Sequence, residues 1–250
     1  MLLAWAQADK PSRCWYDFNP YAHCVNALLR ILGFNLLAQI GSRLPSRTAR
    51  SITSFVLIAA NLLPLAAVLS GSAGLGDVFV IYWFENVVVW FTTTVKIVTA
   101  RAVGTAGRDV TLLGNFLVAA FFTVHFGLFT FVHGVFSFTL ASATGGLTGE
   151  PRTWLLIVFA IAASHLISLG LNWFGQGERN AATVRRAMTM PYPRMVVLHL
   201  SVLAAWFLLL WLPNVAADAV VPVAILCVLK TGVDVWFHLR ERFALQPSRV

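Results

Sequence analysis

Apolar residues dominate six stretches of this chain, each about 20 residues long, and short polar segments separate them. A helix of that length crosses a hydrocarbon core about 30 Å thick. The stretches lack the alternation over about 10 residues that is typical of the strands in a membrane barrel. The pattern predicts an all-α, polytopic membrane helix bundle with six transmembrane helices, at about 51–70, 77–99, 111–137, 154–173, 194–213 and 219–238.

This pattern divides the chain into three regions. Residues 1–50 are predicted to form a cytoplasmic N-terminal segment, residues 51–239 the six-helix transmembrane domain, and residues 240–250 a cytoplasmic tail. Residues 24–43 are apolar, but they include Arg30, whose charge is costly in lipid. An interfacial helix at 24–43 is therefore favoured, and a seventh crossing there stays open.

The basic residues indicate the orientation of the bundle. With a cytoplasmic N-terminus, seventeen of the eighteen Lys and Arg residues fall on the inner side and only Arg152 falls outside. This asymmetry follows the positive-inside rule and predicts that both the N-terminus and the C-terminus are cytoplasmic (N-in, C-in) in a multi-pass protein of the cell inner (cytoplasmic) membrane. The net charge of +8 is thus a signal of topology, and its spread over short juxtamembrane segments argues against a nucleic-acid partner.

The second predicted span contains a conspicuous polar stripe. Tyr82, Glu85, Thr92 and Lys96 share one helix face, and Asn86 lies beside it. Lys96 is close enough to the inner end to extend toward water, whereas Glu85 is about 13 Å into the span by helical rise. We expect Glu85 to face the bundle and not lipid, because an ionisable group in the bilayer is costly.

Three ionisable residues are predicted to share the middle layer of the membrane. Counting helical rise along three successive spans places Glu85, His125 and His165 at a similar depth. Histidine nitrogens and a carboxylate suit a transition metal (Zn, Fe, Mn or Cu), and three such ligands with a water would form an open site. The simpler alternative is a buried polar network that ties the helices together.

Other polar residues are predicted nearer the membrane surfaces. His133 is expected toward the outer side, and His199 toward the inner side at the start of the fifth span. Lys230, Asp234 and His238 share one side of the sixth span near its inner end. These three could meet His199 at a cytoplasmic mouth, although residues at span ends often only contact headgroups.

Several of these residues also carry a resemblance to a known family. The run N-L-L-P at Asn61–Pro64, the motif Y-W-F-E-N at Tyr82–Asn86 followed by Lys96, and the F-x-x-x-H spacing at His125 and His133 are its basis. In these features the chain resembles, over about residues 52–240, a family of bacterial polytopic membrane proteins catalogued as a domain of unknown function. The resemblance implies a shared fold and no activity.

The sequence leaves three functions open. A metal-binding protein or metal-dependent membrane enzyme would use the predicted Glu85, His125 and His165 site. A proton-coupled or ion-coupled transporter would use intramembrane Glu and His residues as a relay. A b-type haem protein would use His125 and His165 as axial ligands. The lipid bilayer is the expected partner in each case, a small molecule or ion is a further candidate ligand, and the oligomeric state is left open.

Overall fold

The computed structural model describes residues 34–101 and 112–211, together with 228, 230–232 and 236. Within these residues all regular structure is helical. The helices are α1 (Phe34–Arg43), α2 (Ser46–Leu69), α3 (Leu75–Thr99), α4 (Leu112–Ala143), α5 (Pro151–Ser168), α6 (Glu178–Ala181), α7 (Val184–Thr189) and α8 (Tyr192–Trp211). A π-helix, π1 (Leu169–Gly175), continues α5 without a break.

In the part of the chain that the structure describes, four helices are long and apolar enough to cross a membrane: Ser46–Leu69, Leu75–Thr99, Leu113–Ala143 and Pro151–Gly175. They correspond to the first four predicted spans, and each is a few residues longer than predicted. The helix α8 covers most of the fifth predicted span. Most of the sixth span, and residues 24–33 of the predicted interfacial helix, lie outside the described residues; α1 is the described part of that helix.

The outward faces of these helices are apolar, which is the arrangement expected in lipid. In α4, large apolar side chains are exposed at intervals of three or four residues: Leu113, Leu117, Phe121, Val124, Leu128, Phe131, Val135 and Phe138. A continuous apolar stripe of this length would be unfavourable in water. The surface therefore fits a membrane protein, and the ionisable groups on the inward faces become the notable ones.

Side-chain contacts fix how the helices run. The indole of Trp83 donates to the carbonyl of Thr130 over 2.8 Å, while Thr94 lies beside Thr123, so α3 and α4 are antiparallel. Tyr192 contacts His125, and seven residues later His199 contacts His133, so α8 runs parallel to α4. The helix α2 packs against α5, and α1 packs against π1.

Two loops meet at one end of the bundle around Asp77. This carboxylate is fully buried at the start of α3 and accepts from the backbone N–H of Gly74 over 2.7 Å and from the indole of Trp154 over 2.7 Å. The backbone N–H of Glu150 donates to the carbonyl of Ser72, which joins the α4–α5 loop to the α2–α3 loop. Asp77 therefore orders the end that the charge pattern predicts to be external. The feature of the sequence that could have indicated this role of Asp77 is the presence of an acidic residue in the first turn of a helix.

Candidate functional site

The candidate site is an ionic cluster inside the bundle, centred on Glu85. Its side chain is buried, with 5% of the residue exposed, which confirms the expectation that Glu85 faces the bundle. Tyr82, Asn86 and Thr92 are buried on the same helix, as the polar stripe predicted. The stripe exists because residues three, four and seven apart share one side of α3.

Two other helical segments bring basic groups to Glu85. The ammonium Nζ of Lys230 lies 2.6 Å from Glu85 Oε2, and His165 Nε2 lies 3.3 Å from Glu85 Oε1. Lys230 was expected at the cytoplasmic mouth, so its pairing with Glu85 corrects that prediction. The physical reason is that a lysine deep in a bundle needs a counter-charge, and Glu85 provides one.

Asn61 and Tyr82 complete the surroundings of Lys230. The ammonium donates to Asn61 Oδ1 over 2.8 Å and lies 4.8 Å from the centroid of the Tyr82 ring. The Tyr82 hydroxyl in turn donates to the backbone carbonyl of Asn61 over 3.3 Å. The charge of Lys230 is thus shared between a carboxylate, an amide oxygen and an aromatic face. Asn61 was missed as a site residue, although it opens the N-L-L-P run, and Lys230 was assigned to a different cluster.

A line of neutral polar groups continues from this cluster along α5 and π1. Asn172 donates from Nδ2 to Thr53 Oγ1 over 3.1 Å and to Ser168 Oγ over 3.4 Å, and its own Oδ1 is buried without a hydrogen-bond partner in the described chain. One turn further, Gln176 donates to the carbonyls of Leu44, over 3.0 Å, and of Gly41. We call Thr53, Ser168, Asn172 and Gln176 the polar column.

His125 occupies different surroundings from Glu85 and His165. Its ring stacks on Phe121, lies edge-on to Phe129 and contacts Tyr192, with centroid distances of 5.4, 5.2 and 6.0 Å. The residues of α4 that face α3 include Thr123 and Thr130, and His125 is rotated about 200° from Thr123. The structure therefore brings Glu85 and His165 together and does not bring His125 to them. Within the described residues, no group of three His, Cys, Asp or Glu side chains is arranged to hold a metal ion.

His133 and His199 form a second polar contact, between α4 and α8. His133 Nδ1 lies 2.7 Å from the carbonyl of Phe129, which can only accept, so Nδ1 carries the proton. In the neutral ring, His133 Nε2 then accepts from His199 Nδ1 over 2.9 Å. The two residues were expected near opposite surfaces, and this contact corrects that assignment. Asp234 and His238, the other residues of the expected mouth, lie outside the described residues.

Comparison with known proteins identifies a family but no activity. The chain belongs to a family of unknown function (DUF6498), whose model matches residues 43–249. This agrees with the resemblance to an uncharacterised family. No curated protein and no solved structure matches the chain.

Proposed function

We propose that this protein translocates protons across a membrane, alone or together with a solute, and that Glu85, Lys230 and His165 form its proton-binding site. The observation that carries the proposal is the buried contact of one carboxylate with an ammonium and an imidazole. A charged group at the centre of a membrane helix costs about 2.5–3.5 kcal/mol, so a cluster of three ionisable groups is expensive for packing alone.

The chemistry of the cluster suits reversible proton binding. A carboxylate, an imidazole and an amine within contact distance offer alternative positions for a proton, and each position changes the balance of charge. Protonation of Glu85 would remove the attraction that holds Lys230, while Asn61 and Tyr82 would still contact the ammonium. Proton binding would then shift the helix that carries Lys230 relative to α3.

The surroundings of the cluster support access from one side. Along α5 and π1, the polar column extends about 16 Å from His165 to Gln176 by helical rise. In the opposite direction an apolar cluster that includes Phe79, Ile81, Leu140 and Ile161 lies between Glu85 and the Asp77 end. Hydroxyl and amide groups can carry or replace water molecules, whereas the apolar cluster excludes them. This asymmetry favours proton entry through the polar column.

The membrane arrangement is part of the same proposal. Six spans with both ends cytoplasmic, in the cytoplasmic membrane, agree with the segregation of basic residues. If Lys230 lies in the bundle interior, the number of basic residues on the inner side falls by one. The other basic residues keep their asymmetry. In this orientation the polar column opens toward the cytoplasm and Asp77 lies at the outer end.

The metal and haem hypotheses have less support from the geometry. Glu85 and His165 contact each other, but His125 packs among aromatic rings, and Lys230 occupies one carboxylate oxygen. A metal would have to displace the ammonium and recruit further ligands. Elemental analysis and an absorption spectrum of the purified protein test both hypotheses. One equivalent of metal that is lost in His165→Ala would favour the metal site, and a Soret band would favour haem.

Proton flux into liposomes tests the proposed function. Purified protein is reconstituted into vesicles loaded with pyranine, and a potassium gradient with valinomycin drives proton entry. We expect flux above that of protein-free vesicles and its loss in Glu85→Gln. His125→Phe is the matched control, because it replaces another intramembrane ionisable residue that does not contact Glu85 and should retain flux. Equal flux in Glu85→Gln and wild type would contradict the proposal. Flux no higher than that of protein-free vesicles would exclude translocation of protons without a solute.

A further inference from the structure

Basic and aromatic side chains gather where α3 and π1 end, far from the Asp77 loops. Lys96 Nζ lies 5.6 Å from the centroid of the Trp173 ring, and the guanidinium of Arg179 lies 5.5 Å from that of Phe174. The backbone N–H of Arg101 donates to the carbonyl of Arg179 over 2.8 Å. This hydrogen bond ties the end of α3 to the segment that follows π1, so the two arginines are held as neighbours.

The two arginines repel each other. Arg179 is half-buried, and its pKa is lowered from the ordinary value, first because burial disfavours the charged guanidinium and then because Arg101 places a like charge nearby. In the part of the chain that the structure describes, neither residue forms an ion pair with a carboxylate. Arg179 Nε is also buried without a hydrogen-bond partner there.

An anion would relieve each of these features. It would offset the repulsion between the guanidinium groups and could accept a hydrogen bond from Arg179 Nε. Guanidinium groups present planar sets of N–H donors that match the oxygens of a phosphoryl group better than a single point charge does. Two adjacent arginines can contact different oxygens of one phosphate.

We propose that Arg101 and Arg179 bind a phosphoryl group, with Lys96 contributing long-range positive charge. Both arginines follow helices that are long and apolar enough to cross a membrane, so they lie at the level where lipid headgroups are found. Trp173 and Phe174 beside them fit the boundary between acyl chains and headgroups. The headgroup of an anionic phospholipid is one source of this phosphoryl group, and a soluble phosphate compound is the other.

Lipid retention measured by native mass spectrometry tests the site. The purified protein is titrated in detergent with phosphatidylglycerol, whose phosphate has no cationic neighbour, and with phosphatidylcholine, whose choline neutralises it. We expect preferential retention of phosphatidylglycerol, weakened about tenfold or more in Arg101→Gln/Arg179→Gln, a loss of the order of one or more charged hydrogen bonds. The control is Arg185→Gln, which removes an exposed charge from α7 and should retain wild-type binding.

Competition with inorganic phosphate distinguishes the two sources. Retention of phosphatidylglycerol that resists added phosphate assigns the site to lipid. Binding of phosphate itself, dependent on both arginines, assigns it to a soluble phosphoryl compound. If the double variant fails to fold, Arg101→Gln alone gives the test, because the Arg101 side chain is exposed and its backbone bond is kept. Equal lipid and phosphate binding by the arginine variants and Arg185→Gln would overturn the proposal.

Discussion

His133 Nε2 lies 2.9 Å from His199 Nδ1, which places a residue in the first half of α8 beside one in the second half of α4. Depth counted along the predicted spans had separated these residues, because the third span was predicted to end at residue 137 and His133 was therefore expected close to the outer surface. The helix α4 has 32 residues and is about 48 Å long by helical rise, so it exceeds a hydrocarbon core of about 30 Å. Helical rise measured from Ala143, the other end of α4, places His133 near the middle of the bundle, and its contact places His199 there too.

Removing this histidine contact should lower stability moderately. His133→Ala and His199→Ala should each reduce the free energy of unfolding by about 0.6–2 kcal/mol, the range for hydrogen bonds between membrane helices. A double-mutant cycle in detergent isolates the pair, and the double variant should cost less than the sum of the singles. Strict additivity would mean that the contact contributes nothing to stability.

Variants of the Glu85–Lys230 ion pair should depart further from additive free energies of unfolding than variants of the histidine pair. Glu85→Gln or Lys230→Met alone leaves one buried charge without its main partner and should lower the free energy of unfolding by about 3–5 kcal/mol. The double variant removes both charges and should recover much of that loss. Thermal unfolding in detergent measures each variant. A double variant as unstable as the sum of the singles would show that the two charges do not compensate each other.

The sequence was informative about the contents of each helix and less so about how the helices meet. The periodicity of α3 predicted that Glu85, Tyr82 and Thr92 face inward, and all three are buried. The proximity of His165 to Glu85 was also expected. His125 illustrates what was missing: depth along a helix follows from residue counting, but rotation about the axis depends on packing against neighbours. His125 is rotated about 200° around the α4 axis from Thr123, which faces α3, and this rotation directs the His125 ring to Tyr192.

Lys230 was assigned to the wrong surroundings for a related reason. Its distance from the end of the apolar stretch suggested a side chain near water, and lysines at span ends commonly extend there. Only the position of Glu85 on a neighbouring helix makes an inward orientation favourable. A basic residue within a span should therefore be compared with every acidic residue at similar depth before it is assigned to the membrane surface.

The proposed topology can be tested by cysteine labelling at sites chosen from the structure. Gly146 has a positive φ of 86°, which disfavours a cysteine, so the exposed neighbour Leu147 is the better position. In a background without the native cysteines, Leu147→Cys should react with an impermeant maleimide from outside the cell. Ala181→Cys, exposed in α6, should react only after permeabilisation. The reverse pattern would overturn the proposed orientation.

Close packing of α1 on π1 should make Gly41 intolerant of any side chain. A Cβ at Gly41 would lie 2.5 Å from the carbonyl oxygen of Leu171 and 2.9 Å from its Cα, both backbone atoms that cannot move aside cheaply. Gly41→Ala should lower the free energy of unfolding by about 1–3 kcal/mol, a typical cost of overpacking. Gly232→Ala is the control, because no atom of the described residues lies within 4 Å of its Cβ position and alanine favours the helix. Thermal unfolding in detergent measures both variants. If Gly41→Ala is tolerated as well as Gly232→Ala, α1 does not dock on π1 as described, and a separate interfacial helix would account better for this segment.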